Sequence, residues 1–138
     1  MSETEPKILF ERHWAKGGAE VDFHVDEEMY SLVVFGGKGS IDGAKEFLKM
    51  ADEAIAFLGP EYQTRITADL RKLNGAPIRS QFLLGKWLLK NKRYVERIAV
   101  FGGRRIEMTI ARAVMKIGRM HHVGFFNDAA SALRFIKS

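Results

Sequence analysis

The sequence predicts an α/β domain: a mixed, mostly parallel sheet with about four helices, in the order ββαβαβαβα. Three observations carry that expectation. Short apolar runs at Tyr30–Phe35, Arg97–Phe101 and His122–Phe126 are too brief for helices. Longer segments with apolar residues at helical spacing lie between them. Strands alternating with helices in this way imply βαβ units, whose strands run parallel.

The elements follow in order. Residues 1–7 are polar and expected to be flexible, leaving one domain over 8–138. Ile8–Trp14 admits a short strand or an arm, and Lys16-Gly17-Gly18 reads as a turn. Val21, Phe23 and Val25 alternate with Glu20, Asp22, His24 and Asp26, which predicts a half-buried strand. Asp26-Glu27-Glu28 joins it as a hairpin to the strand Tyr30–Phe35, which Gly36–Gly39 ends. Ser40 caps the first helix, Asp42 sits near its positive end, and Gly59-Pro60 stops it. Thr64–Leu70 is a strand, Arg71–Ala76 a loop, and Pro77 fits the first turn of a helix running to about Lys90. Arg97–Phe101 is a buried strand with Gly102-Gly103 as its turn. Arg104–Ile117 is an amphipathic helix stopped by Gly118. His122–Phe126 is the last strand, and Asn127 or Asp128 caps a final helix bearing Ala129, Ala132, Leu133 and Ile136.

Composition narrows the function classes. The chain has 138 residues, 46% of them apolar and 28% charged, as expected of one globular domain. It has no cysteine, which excludes disulfides, thiolate catalysis and cysteine-ligated metals. No apolar run approaches the ~20 residues of a membrane span, and MSETEPK is no secretory signal, so a cytoplasmic protein is expected. The formal net charge of +5 hides an asymmetry. Residues 1–69 hold 7 basic and 14 acidic residues (net −7), and residues 70–138 hold 15 and 3 (net +12). Such a split fits an anionic partner, nucleic acid, complementary self-association, or neutralisation within one sheet.

Four patterns are candidates for chemistry. Gly102-Gly103-Arg104-Arg105 follows a buried strand and opens a helix, so free amides, a positive helix end and two guanidiniums would converge there on an anion. The alternative is a plain turn with its arginines in water. The helix Pro77–Lys90 is apolar over more than one face, and Arg79, Lys86, Lys90, Lys92 and Arg93 make its polar positions basic. That excess suits a protein interface, above all a homodimeric one, a lipid pocket or a membrane surface, or else a covered core helix. Phe82, Trp87 and Leu88 would be anchors, and Arg79, Lys86 and Arg93 would select an acidic surface. Arg104, Arg105, Arg112, Lys116 and Arg119 form a basic stripe without RNA-binding aromatic motifs, so nucleic acid is the weaker reading. His121 and His122 are adjacent and would face opposite sides of a strand, while His13 and His24 lack a carboxylate at recognisable ligand spacing, so no metal site is expected. There is no nucleophile elbow or paired-carboxylate signature, and neither enzymatic activity nor a cofactor is expected.

Several segments together resemble the SpoIIAA-like branch of the STAS superfamily. They are Arg93–Phe101 with the helix behind it, His122–Asn127, the closing Ala129–Ile136 helix, the Tyr30-to-Ser40 unit and Thr67-Ala68-Asp69-Leu70. The resemblance spans about residues 20–137. It implies a bacterial, non-enzymatic regulatory module that binds a partner protein or itself. In the best-known members a serine after the Asp-Leu strand end is phosphorylated. Here Asp69-Leu70 is followed by RKLNGAPIRS, and Ser80 is the late-arriving counterpart. A small anionic or lipid ligand, held by Gly102–Arg105 and the apolar helix, is the alternative.

Overall fold

The computed structural model describes residues 5–138, and within them one six-stranded sheet carries every helix. Its elements are β1 (Ile8–Lys16), β2 (Ala19–Asp26), β3 (Tyr30–Lys38), α1 (Ile41–Leu58), β4 (Thr64–Asn74), α2 (Ile78–Lys90), β5 (Val95–Phe101), α3 (Arg105–Ile117), β6 (Val123–Phe126) and α4 (Ala129–Lys137), with a 3-10 turn at Lys92–Tyr94. The strands lie side by side in chain order, β1 to β6. The pairs β1–β2 and β2–β3 are antiparallel; β3–β4, β4–β5 and β5–β6 are parallel.

Local chemistry accounts for these elements. Gly17 and Gly18 both have positive φ (61° and 86°), the backbone of a two-residue hairpin turn that glycine adopts without strain. The stretch that admits strand or arm is therefore a full edge strand, and the chain has one strand more than the predicted order. Lys7 is tied in as well: its carbonyl accepts from the Glu27 amide and its amide donates to the Glu27 carboxylate. Residues 1–4 lie outside the described residues. The Ser40 hydroxyl accepts from the Gly43 amide, and Asp128 accepts from Ser131, confirming both caps. β4 corrects the sequence reading: it runs through Arg71–Asn74, because Lys72, Leu73 and Asn74 pair with Gly36, Gly37 and Lys38 of β3.

The sheet has two unequal faces. Phe10, Val21, Phe23, Val25 and Val33 join Ile66, Leu70, Ile98 and Val100 against α1, α2 and α3 in the main core. A smaller core of Ala99, Phe101, Ala132 and Ile136 lies under α4 on the opposite face. α4 has no glycine stop. Instead Arg65 and Arg97, from β4 and β5, donate to the carbonyls of Ile136 (2.6 Å) and Phe135 (2.8 Å) at its end.

Candidate binding surface and cavity

The outer side of the helix layer is built by α2 and α3, which lie so close that a Cβ on Gly85 would come within 2.5 Å of Ile117. α2 turns Ser80, Gly85 and Leu88 inward and leaves Ile78 (66% exposed), Phe82 (51%) and Leu89 exposed. Arg79, Phe82, Lys86 and Arg93 thus face outward as the interface reading requires. Leu88 does not: it is 6% exposed, packed against Gly118, and cannot anchor an outside partner. Trp87 is half-buried, its indole donating to Asp52 of α1 at 2.7 Å. α3 adds exposed Arg105, Ile106, Arg112 and Lys116, with Arg119 just beyond. No carboxylate is exposed on either helix, since the only acidic residue in them, Glu107, is 1% exposed.

The Gly102–Arg105 turn is an anion site already filled from within. The Glu107 carboxylate accepts from the Arg104 guanidinium (2.6 Å), the Arg104 amide (2.9 Å) and the Gly75 amide (2.7 Å). Arg104 also reaches Asn74 at 2.9 Å. Its guanidinium holds the Glu107 carboxyl down at about 2, against burial that pushes the other way. This ties the loop after β4 to the start of α3. It corrects the expectation of an open anion cradle at Gly102–Arg105: the Arg104 amide and guanidinium are taken by Glu107, the Gly102 amide donates to the Phe126 carbonyl, and Arg105 is exposed. Ser80 is corrected too. It is 4% exposed, and its hydroxyl donates to the Pro77 carbonyl at 2.6 Å, so a kinase has no access to it.

On the opposite face, β1–β2 pairing sets His13 beside Asp22, each four residues from the Gly17-Gly18 turn. The His13 imidazole is hydrogen-bonded to Asp22, which raises its pKa, and Glu20 lies close enough for one ligand atom from each of the three to gather within 4.8 Å. The hairpin register, readable from the glycine pair, was the signal for this cluster. His121 and His122 are exposed in the bend before β6 and not on a strand. Nearby, Asp69 is buried at the end of the apolar half of β4. Burial pushes its carboxyl up, but the Arg71 guanidinium (2.8 Å) and amide outweigh this and hold it low.

Between the sheet and α1–α3 lies an apolar cavity of about 130 Å³. Val33, Phe35, Leu70, Val100, Leu84 and Ile110 are among its walls, and Lys38–Ser40 and Ala76-Pro77 flank one end. There the two loops are in contact: a Cβ on Gly39 would meet the Gly75 carbonyl at 2.1 Å.

These features define the class: an α/β domain with a SpoIIAA-like fold and a basic, apolar-studded helical face. Over 99% of its length the chain superposes on a crystal structure of an uncharacterised DUF3478-family protein with a SpoIIAA-like fold from Shewanella loihica PV-4. The match covers 98% of that chain, with a TM-score of 0.59 and 17% sequence identity, and it shows the fold. It reaches beyond the resemblance legible in the sequence, since it includes β1. No family model and no curated protein matches the chain. Among the described residues no helix is long and apolar enough to cross a membrane.

Proposed function

We propose that the chain is a non-enzymatic, STAS-like docking module of the cytoplasm. Its α2–α3 face would bind an acidic patch on a partner protein or on a second copy of the chain. One observation supports this best. Eight exposed cations (Arg79, Lys86, Lys90, Arg93, Arg105, Arg112, Lys116 and Arg119) lie on or just beyond α2 and α3 with exposed Ile78, Phe82 and Ile106, and neither helix carries an exposed carboxylate. Apolar anchors would supply the affinity, and the cations the partner choice and encounter rate. A non-enzymatic reading is supported by Glu107: this buried carboxylate is saturated by donors of its own chain. Phosphorylation at Ser80 has no part in it.

The test is capture of interacting proteins at about 0.15 M salt, with wild type beside Phe82→Asp and Arg79→Glu/Lys86→Glu variants that keep their circular dichroism. At least a tenfold loss of one stoichiometric protein, or of the dimer in sedimentation, is expected in each variant. Identical retention by all three would refute the assignment. Binding only to anionic vesicles or to nucleic acid, abolished by salt, would replace the protein partner with a lipid or nucleic-acid one.

A further inference from the structure

We propose that the cavity between the sheet and α1–α3 is a binding site for a compact, uncharged apolar group of about six carbons, either a free molecule or the end of an alkyl chain. Size sets the class. The cavity holds about 130 Å³, and apolar protein cavities of roughly 150 Å³ stay dry and take up benzene. Water is a poor occupant because it needs two to four polar partners. Among the described residues the buried polar side chains on the wall are Ser80 and Glu107, and both are committed, the Ser80 hydroxyl to the Pro77 carbonyl and the Glu107 carboxylate to Arg104 and Gly75. Glu20, Lys38, Ser40 and Trp87 also line it but are not buried. The buried part of a guest therefore carries no charge.

The walls indicate that the space is kept open. Ala44 of α1, Ala68 of β4 and Ala111 of α3 all line it, so three separate elements present a methyl where a leucine would close the volume. Native cores hold few voids larger than a water molecule. The contact between Gly39 and Gly75 closes one end, and Lys38 stands beside it, placed to meet the carboxylate of a chain whose tail lies inside.

The experiment uses the full chain and three probes: benzene, hexanoate and dodecanoate. Methyl NMR and thermal melts are recorded for wild type, Ala111→Leu and Ala68→Leu. At least one probe is expected to shift the Val33, Leu84 and Val114 methyls saturably and to raise the wild-type melting temperature by about 3–5 °C at ten times its Kd. Both filled variants should melt no lower than wild type and lose the response. Should either fail to fold, Leu84→Phe is the substitute filling change. Benzene alone identifies a neutral guest. Alkanoate binding that weakens in Lys38→Ala identifies an acyl tail with its head at the rim. If no probe shifts those methyls up to its solubility, or if the filled variants respond as strongly as wild type, the site does not exist.

Discussion

Replacing Glu107 by alanine is expected to lower the melting temperature by about 10 °C at pH 7, from a loss of roughly 3 kcal/mol. The side chain is buried, and its removal takes the acceptor from the Gly75 and Arg104 amides and leaves the Arg104 guanidinium only Asn74. Arg104 remains mostly in water and recovers hydration, which keeps the loss at the low end for a broken buried pair. Glutamine retains an acceptor but not the charge, so Glu107→Gln should cost about 2 kcal/mol. The pH dependence follows from the direction of the shift. The folded carboxyl titrates at about 2 and the unfolded one near 4.5, so its stabilisation is complete above the unfolded value and is lost as pH falls toward 2. Asp69, Glu96 and Asp128 are also held low, so the difference between wild type and Glu107→Gln isolates this group. Calorimetric melts at pH 7, 4 and 2.5 should converge. A gap that stays constant across that range would mean the carboxylate carries no special stabilisation in the folded chain.

Gly85→Ala is expected to destabilise by about 2 kcal/mol, although alanine is the better helix former by about 1 kcal/mol. The two effects oppose each other, and geometry decides. Gly85 sits in the middle of α2, and a Cβ there would lie 2.5 Å from both Cβ and Cγ2 of Ile117 and 3.2 Å from the Val114 carbonyl. The obstacle is the root of a β-branched side chain and cannot swing away as a flexible tip would. The helices must separate, which disturbs the basic face and the cavity wall at Leu84 and Val114 together. Urea unfolding measures the cost. An alanine variant as stable as wild type would show that the α2–α3 contact yields freely.

Fold class, helix boundaries and caps were legible because local rules set them: apolar period, Ser40 and Asp128 as acceptors, glycine stops. β1 was ambiguous because an edge strand can be polar on both sides; Glu11, Arg12 and His13 are all exposed. The end of β4 was hidden for a related reason. Arg71 and Lys72 look like loop residues, and only pairing with β3 makes them strand. On α2 the excess of apolar residues was plain, but not which of them a neighbour covers: that depends on Gly118 and Ile117, some thirty residues later. The pairing of Arg104 with Glu107 had a signal, the glutamate three residues on, which suits a backward hydrogen bond to the helix start. The cavity had none, since it is a sum of volumes that are missing from distant elements.

The chain-order sheet has a consequence for how the molecule is made. Because no strand inserts between two earlier ones, each strand finds its partner in the strand synthesised just before it. On the ribosome the hairpins of β1–β3 can close first, and each later helix–strand unit then adds to an existing template, which keeps loop-closure costs local. α4 comes last, and the arginines that grip its end are already fixed in β4 and β5 by then. Pulse-labelled hydrogen exchange during refolding should accordingly find protection spreading from β2 and β3 toward β6.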